Sequence, residues 1–272
     1  MTRFRKTRIA PTPSGYLHAG NALNFLLTAA LAQRTGASVL LRIDDGDRER
    51  YRRAYAADIF ETLHFLNIQW QEGPHDLQEF EQRWSQRHRL PLYHGVLKKL
   101  QERGCVFACT CSRTQIGNCN CEQKTFPMDT PDASWRLRTD ETPVAVRTID
   151  GNVITAPLHG EMKNFIVRRR DGLPAYQLCS VVDDLHFGID LIVRGEDLWP
   201  STLAQHYLAK ALGEEEFSAI RFLHHLLLTN ERGEKLSKSA GNGARDVERT
   251  IFGEETMKRL SEEAAKWLAQ CV

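Results

Sequence analysis

TRIAPTPSGYLHAGN, residues 7–21, places a short apolar strand, a proline-rich turn and the start of a helix in direct succession. Two prolines make the turn rigid, and Gly15 adds the conformational freedom that a tight turn needs. The apolar spacing that follows predicts a largely buried helix over 21–34, and 38–43 is typical of a second strand. Strand, helix and strand in this order predict a right-handed parallel crossover, and therefore an α/β fold.

The α/β pattern is interrupted once along the chain. It extends over about 1–104, gives way to short alternating strands punctuated by proline and glycine over 105–165, and resumes over 166–240. An amphipathic pattern predicts a last helix over 257–268, within the segment 241–272. We therefore expect a discontinuous α/β domain, an inserted β-rich module and a short helical C-terminal segment.

Composition excludes several classes of protein. The chain has 272 residues, of which 42% are hydrophobic and 26% charged, so it can bury a sizeable core and is neither disordered nor fibrous. No run approaches the roughly 18 consecutive apolar residues of a membrane span. Prolines follow the basic N-terminus, where a signal peptide has an apolar segment. We expect a soluble cytoplasmic protein without a membrane partner.

The formal net charge of +1 gives no global attraction to nucleic acid. A polyanionic partner must therefore be bound by a local basic patch, for which the run Arg168-Arg169-Arg170 is the first candidate. A solvated charge run at the same place is an equally good interpretation.

Cysteines are concentrated in the predicted β-rich module. Of the seven in the chain, Cys109, Cys111, Cys119 and Cys121 form two close pairs on either side of a polar loop, unlike an even disulfide framework. Four thiolates that converge at a turn suit the tetrahedral coordination of structural Zn²⁺. We therefore predict one structural zinc ion bound by these side chains. Four reduced surface thiols, or a redox role, are the alternatives.

Three short motifs suggest a ligand site. The acidic stretch that begins at Asp44 follows the second predicted strand, where open α/β sheets place ligands. His18-Ala19-Gly20-Asn21 opens the first helix, whose N-terminal N–H groups and dipole suit a phosphate. Lys235-Leu236-Ser237-Lys238-Ser239 places two ammonium groups in a glycine-flanked loop that can close on a triphosphate. Taken alone, the last two motifs are more often a surface histidine and a solvated basic loop.

The two motifs that suit phosphates, occurring together in this order on α/β flanks, resemble the ATP signatures of the class I aminoacyl-tRNA synthetases. Four further stretches resemble glutamyl-tRNA synthetase segments: RIAPTPSGYLH (8–18), LRIDDGDR (41–48), YQLCSVVDD (176–184) and IVRGED (192–197). The resemblance implies a Rossmann-like parallel-sheet catalytic domain in two halves, 1–104 and 166–240, with the KLSKS loop in the second. It also implies that the module at 105–165 is a zinc-containing subdomain like the one that binds the acceptor stem in this family.

About 33 residues follow Ser239, too few for the anticodon-binding part of a full glutamyl-tRNA synthetase. The chain therefore resembles the truncated branch of the family, the glutamyl-Q tRNA(Asp) synthetases, which have no anticodon-binding domain. The resemblance implies that L-glutamate is activated with ATP in the absence of tRNA and then joined to the queuosine base at the wobble position of tRNA(Asp). Mg²⁺ on the phosphates, a structural zinc ion and a monomeric enzyme are expected as well.

The resemblance also assigns roles to individual residues. Those expected to bind glutamate are Arg8, Ala10, Thr12, Asp44, Tyr176 and Arg194. Those expected to bind ATP are His18, Gly20, Asn21, Gly195 and Lys238, and those expected to act in catalysis are His18, Lys235 and Lys238. The charges suit glutamate, because a zwitterion with an acidic side chain requires two cationic partners and one anionic partner.

Asp44 stands where the family usually has glutamate. A paralogue that activates another amino acid, or modifies another acceptor, is therefore one alternative function. A non-catalytic RNA-binding relative is another, although such a protein has no need of a triphosphate site.

Overall fold

A parallel sheet forms the centre of the fold, as the strand and helix pattern predicts. The structure, a computed structural model, describes residues 2–112, 114–115, 119–227 and 262. Strand β1 (Lys6–Ile9) lies between β2 (Ser38–Leu41) and β8 (Leu191–Gly195) and is parallel to both. On the far side of β8, β9 (Arg221–His225) continues the parallel order.

A hairpin extends this sheet at one edge. Strand β5 (Val144–Thr148) pairs in parallel with β9, with Arg147 opposite Arg221, and antiparallel with the edge strand β6 (Val153–Ala156). The strand order of the six-stranded sheet is therefore β2-β1-β8-β9-β5-β6. The predicted α/β fold with a mainly parallel sheet is thus confirmed.

A second, antiparallel sheet contains three strands. These are β3 (Val106–Cys109), β4 (Ser134–Leu137) and β7 (Ile166–Arg168), with β4 in the middle. The segment 105–165, predicted as one β-rich module, is therefore divided between two sheets, since its β5–β6 hairpin belongs to the six-stranded sheet. Alternating polarity marks a strand but not its partner, which is why the sequence pattern did not separate the two. The exact boundaries of the four predicted segments stay a prediction.

Helices cover both faces of the six-stranded sheet. Those in the described part of the chain are α1 (Ala19–Thr35), α2 (Arg53–Phe65), α3 (Leu77–Glu79), α4 (Leu90–Glu102), α5 (Cys121–Lys124), α6 (Tyr176–His186), α7 (Trp199–Leu212) and α8 (Glu215–Ala219). Alternate residues of β8 join opposite cores. Leu191 and Val193 pack in the core that contains α1 and α2, whereas Ile192 packs with α4, α6 and α7. Burial on both faces explains the continuous apolar runs of the central strands.

Local sequence sets both ends of α1. The His18 ring Nδ1 accepts a hydrogen bond from the Gly20 N–H at 3.1 Å, and the His18 N–H donates to Asn21 Oδ1 at 3.0 Å. Gly36 ends the helix in the left-handed region, at φ 77°. The predicted helix is confirmed, and it begins at Ala19 rather than Asn21 because His18 caps it.

One predicted element lies outside the described residues. It is the helix expected over 257–268, of which only residue 262 is described. None of the described helices is long and apolar enough to cross a membrane.

Gly73 lies against β2 at a position that admits no side chain. Its φ is 103°, and a Cβ there would lie 2.2 Å from the carbonyl oxygen of Leu41. Gly73→Ala is expected to lower the free energy of unfolding by about 3 kcal/mol, since both the backbone and the neighbouring strand must shift. Urea unfolding followed by circular dichroism measures the change.

Gly95→Ala is the matched control for this substitution. Gly95 lies within α4, and a Cβ there would meet nothing within 4 Å. Here the same change is expected to raise the free energy of unfolding by about 0.5–1 kcal/mol, because alanine favours a helix over glycine. Equal effects of the two substitutions would contradict the steric explanation.

Candidate active site

One cavity opens at the carboxyl ends of the parallel strands. Strand β1 leads to β2 on one side of the sheet and β8 leads to β9 on the other, so the strand order reverses between β1 and β8. Open α/β sheets bind ligands in the crevice at such a point. The cavity has a volume of about 560 Å³, which is large enough for a small-molecule ligand.

The cavity brings together residues that lie far apart in the sequence. All the predicted glutamate-binding and ATP-binding residues in the described part of the chain line it: Arg8, Ala10, Thr12, His18, Gly20, Asn21, Asp44, Tyr176, Arg194 and Gly195. Lys235 and Lys238, which are predicted to act in catalysis, lie outside the described residues. The lining residues can therefore contact one ligand or two adjacent ligands, and their individual binding roles stay predictions.

The N-terminus of α1 forms part of the cavity wall. Because His18 Nδ1 accepts from the Gly20 N–H, a neutral His18 ring carries its proton on Nε2, which can donate to a ligand oxygen. Gly20 permits this arrangement, since a Cβ there would lie 3.0 Å from His18 Cε1. The helix end adds backbone N–H groups and the positive end of the helix dipole. This wall therefore suits a phosphate group.

A network of buried charges borders the cavity. Arg42 Nε and Nη2 donate to the two carboxylate oxygens of Asp44 at 2.7 and 3.1 Å, and Arg42 Nη1 donates to Asp184 Oδ1 at 2.7 Å. Burial alone would lower the pKa of this guanidinium, but the carboxylates of Asp44, Asp184 and Asp183 raise that pKa well above its ordinary value. Arg42 is therefore always charged, and it holds Asp44 in a fixed orientation.

Asp183 is the other centre of this network. Its carboxylate is fully buried and accepts hydrogen bonds from Arg89 Nε at 2.8 Å, Tyr93 Oη at 2.7 Å and Gln86 Nε2 at 3.1 Å. Burial favours the neutral form, but Arg42 and Arg89 together bring the pKa of Asp183 below its ordinary value. An ionised Asp183 therefore joins α6 to α4 and to the segment that follows β2.

Two further arginines line the cavity and are buried. Arg8 and Arg194 expose only 6% and 3% of their surface. Arg8 Nε lies 3.4 Å from Asp184 Oδ1. Burial lowers the pKa of Arg8 to about 10 and also lowers the pKa of Arg194. Both guanidinium groups are charged at neutral pH, and a bound anion would offset the cost of their desolvation.

Three buried arginines line the cavity beside buried carboxylates. Arg8 and Arg42 lie within 4.0 Å of Asp184, and Arg42 also pairs with Asp44. Among the described residues, no carboxylate oxygen lies within 4.0 Å of the third, Arg194. The cavity therefore favours a ligand that carries a carboxylate or a phosphate.

The sequence pattern assigned no site role to Arg42, Asn24 or His225, although all three line the cavity. Asn24 Nδ2 lies 3.2 Å from His225 Nε2. Burial lowers the pKa of His225, so the ring is neutral and Nε2 can accept from the amide. Asn24 follows Gly20 by one helical turn, and this spacing could have placed it on the same wall.

The four predicted metal ligands lie together at the end of β3. The sulfur atoms of Cys109, Cys111, Cys119 and Cys121 all lie within 4.8 Å of one another. Two of the distances are 3.6 Å, from Cys109 to Cys119, and 3.5 Å, from Cys111 to Cys121. A disulfide bond is about 2.05 Å long, whereas zinc–sulfur bonds of about 2.3 Å in a tetrahedron place the sulfur atoms roughly 3.8 Å apart. The donor set therefore fits a single metal ion.

The basic run 168–170, a candidate RNA patch, makes contacts within the protein. Arg169 Nη1 lies 3.8 Å from Asp47 Oδ1, and Arg170 Nη2 donates to the Cys111 carbonyl oxygen at 2.8 Å. The run therefore connects the cysteine cluster to the acidic loop that follows β2. RNA binding at this run stays a prediction.

Comparison with known proteins shows to which class this sheet and cavity belong. The family described as "tRNA synthetases class I (E and Q), catalytic domain" matches residues 5–148 and 131–251. The glutamyl-Q tRNA(Asp) synthetase of Pseudomonas fluorescens is 39% identical over 239 residues, which are 85% of this chain and 75% of that protein. The chain belongs to this class I family and, within it, to the glutamyl-Q tRNA(Asp) synthetases.

Longer relatives share the same region. The glutamate–tRNA ligase 2 of Syntrophus aciditrophicus is 32% identical over 259 residues, which are 87% of this chain and 52% of that protein. The chain thus spans about half the length of that relative. The crystal structure of the glutamate-tRNA synthetase from Elizabethkingia anophelis is similar at a TM-score of 0.71 and 20% identity, covering 92% of this chain and 54% of that one. At this identity the likeness shows the fold alone.

Asp183→Asn tests how much the buried network stabilises the protein. The variant keeps the side-chain shape but removes the negative charge shared by Arg42 and Arg89, so the free energy of unfolding at pH 7 is expected to fall by about 3–5 kcal/mol. The pKa of Asp183 is lower in the folded protein than in the unfolded chain. Its stabilisation is therefore present above about pH 4 and is lost as the pH falls further. Urea unfolding across this range should show the two proteins converging at low pH.

Asp129→Asn makes the same chemical change at an exposed position. It is expected to alter the free energy of unfolding by less than about 0.5 kcal/mol. A loss in Asp183→Asn that does not depend on pH, or that equals the loss in this control, would show that the ionised carboxylate is not the stabilising group.

Proposed function

We propose that this protein activates L-glutamate with ATP to glutamyl-adenylate in the absence of tRNA, and then transfers the glutamate to the queuosine base at the wobble position of tRNA(Asp). One observation carries the proposal. Apart from Lys238, which lies outside the described residues, the residues predicted for glutamate and for ATP line one cavity, at the switch point of the parallel sheet and beside the N-terminus of α1. Relatives named glutamyl-Q tRNA(Asp) synthetase, at 36–39% identity, favour the acceptor.

Glutamate recognition rests on the buried arginines of the cavity wall. In the proposed complex Arg8, Tyr176 and Arg194 surround the substrate carboxylates, with Ala10 and Thr12 along the same wall. Arg42 uses one hydrogen bond to each Asp44 oxygen. A carboxylate has further lone pairs on each oxygen, so Asp44 can also accept from the substrate ammonium group. The two charged ends of glutamate thus meet partners of opposite sign.

ATP binds in this proposal against the N-terminus of α1, where His18 Nε2–H donates to a phosphate oxygen. Asn21 lies in the same turn, and Gly20 and Gly195 let the nucleotide approach the backbone closely. A Cβ at Gly195 would lie 2.6 Å from Asp197 Oδ1, so a larger residue there would have to displace that side chain. Mg²⁺ would accompany the phosphates and offset part of their charge.

The activation step is an in-line displacement at the α-phosphorus of ATP. An oxygen of the glutamate α-carboxylate forms a bond to this phosphorus, the bond to the bridging oxygen breaks, and pyrophosphate leaves with the electron pair. Holding both substrates in one cavity supplies much of the rate enhancement by orientation. We assign to Lys235 and Lys238 the stabilisation of the charge that builds up on the pyrophosphate. In the second step the activated carboxyl group is esterified to queuosine and AMP leaves.

We also propose one structural zinc ion, bound by Cys109, Cys111, Cys119 and Cys121. The short distances between the sulfur atoms support it. The buried apolar residues around the cluster are few, namely Phe107 with Cys109 and Cys121. Metal coordination would therefore supply stability that so small a core lacks. We assign the expected zinc-containing subdomain to this cluster and the smaller sheet, of which β7 lies just beyond the expected segment 105–165.

The proposed reaction makes a two-stage prediction. Pyrophosphate exchange into ATP is expected with glutamate and no tRNA, and to a much smaller extent with aspartate or glutamine. Labelled glutamate should then be transferred to tRNA(Asp) that contains queuosine but not to the same tRNA without it, which is the matched control. Absence of exchange with all twenty amino acids would reject the enzyme activity. Exchange without transfer to queuosine would reject only the acceptor.

The zinc site predicts one equivalent of zinc per chain in elemental analysis of the protein purified without chelator. Cys121→Ser is expected to reduce the zinc content well below one equivalent and to lower the melting temperature, because the site loses a thiolate. Cys105→Ser is the control, since Cys105 lies outside the cluster, and it should retain the metal. Well under one equivalent in the unsubstituted protein would contradict the assignment.

A further inference from the structure

Arg194 lies in the cavity wall and forms no ion pair with another described residue. It extends from β8 and is almost fully buried. Among the described residues, no carboxylate oxygen lies within 4.0 Å of its guanidinium, whereas Arg8 and Arg42 both lie that close to Asp184. A buried charge without a partner is costly, and a bound anion would remove that cost.

Two neutral oxygen atoms hold the Arg194 guanidinium. Its Nη1 donates to Gln205 Oε1 at 2.9 Å and to Thr202 Oγ1 at 3.2 Å, and both residues belong to α7. The Phe222 ring lies on another side, with its centroid 5.3 Å from Arg194 Cζ. An amide and a hydroxyl group orient a guanidinium but do not neutralise it. Arg194 is therefore fixed in position and keeps its full charge for a ligand.

A chain of amide hydrogen bonds continues from Gln205 on the side away from Arg194. Gln205 Nε2 donates to Gln177 Oε1 at 3.0 Å, and Gln177 Nε2 donates to Ser201 Oγ at 3.0 Å. Gln205 is fully buried, so water does not compete for these bonds. A reversed Gln205 amide would place its NH₂ group against the guanidinium and its oxygen against another oxygen. The guanidinium, which only donates, therefore selects the Gln205 amide orientation, and the chain carries that orientation to Gln177.

The same chain joins two sides of the cavity. Gln177 lies in the first turn of α6, directly after Tyr176, which lines the cavity. Arg194 lies on β8, and Gln205 on α7 forms hydrogen bonds with both Arg194 and Gln177. The two predicted glutamate-binding side chains are thus placed relative to each other by one buried amide.

We infer that Gln205 is a positioning residue for carboxylate recognition. It orients Arg194, and because it is a neutral acceptor it leaves the guanidinium charge to the carboxylate of the substrate. A carboxylate at position 205 would form an internal ion pair and compete with that ligand. The inference rests on the proposed function for the identity of the ligand, glutamate.

Two substitutions at position 205 distinguish the effect of an added negative charge from the effect of losing the hydrogen bond that orients Arg194. Calorimetric titration with glutamate and with glutamine gives the affinities, and pyrophosphate exchange gives the KM values for glutamate and ATP. Gln205→Glu is expected to weaken glutamate binding by at least about tenfold, to reduce the preference for glutamate over glutamine, and to leave the KM for ATP within about twofold of that of the wild type. Gln205→Met removes the orienting bond but adds no charge. It should weaken glutamate binding by roughly three- to tenfold and keep the preference.

Several outcomes would overturn the inference. The inference is wrong if Gln205→Glu binds glutamate as tightly as the wild type. It is also wrong if the variant loses affinity for glutamate and for ATP equally, because such a loss indicates a purely structural residue. If Gln205→Glu does not fold, Gln205→Met provides the test, and an unchanged glutamate affinity in that variant contradicts the inference. Wild-type protein that binds no amino acid at all rejects both the inference and the proposed function. Wild-type protein that activates glutamate, with unaltered variants, rejects the inference alone.

Discussion

Asp183 and Asp184 are adjacent on one buried turn of α6, and each requires positive partners that come from elsewhere in the chain. Arg42 follows β2, Arg8 lies on β1, and Arg89 directly precedes α4. Burying two carboxylates is costly unless both are paired and hydrogen-bonded. The packed position of α6 therefore depends on all three segments. Because Arg8 and Arg42 also line the cavity, the interaction that assembles the core sets the walls of the site as well.

Features that depend on nearby residues could be predicted from the sequence. The ends of α1 follow from His18 and Gly36, which are local capping signals. The four cysteines converge because a short loop separates two close pairs, as their spacing predicts. The predicted site residues in the described part of the chain also line one cavity, and their individual roles stay predictions. The expectation of a shared site came from the family resemblance, since no local pattern relates Arg8 to Arg194.

Features that depend on distant segments could not be predicted in this way. An acidic pair within the apolar run of α6 indicates buried counter-charges, but nothing in the sequence identifies Arg89, 94 positions away from Asp183, as one of them. The amide chain through Gln177 and Gln205 is equally invisible, because glutamine in a helix is usually solvated. Strand alternation likewise distinguishes the two faces of β5 but does not select β9 as its neighbour.

The β5–β6 hairpin prevents the smaller sheet from being exchanged as a unit. The chain enters that sheet through β3 and β4, returns to the six-stranded sheet for the hairpin, and enters the smaller sheet again at β7. A continuous segment that carries all of the smaller sheet therefore also carries two strands of the catalytic core. In a chimaera of two relatives, a graft of the cysteine-bearing region would replace part of the sheet that supports the cavity. Recombination between relatives is thus expected to exchange the smaller sheet only together with strands of the six-stranded sheet.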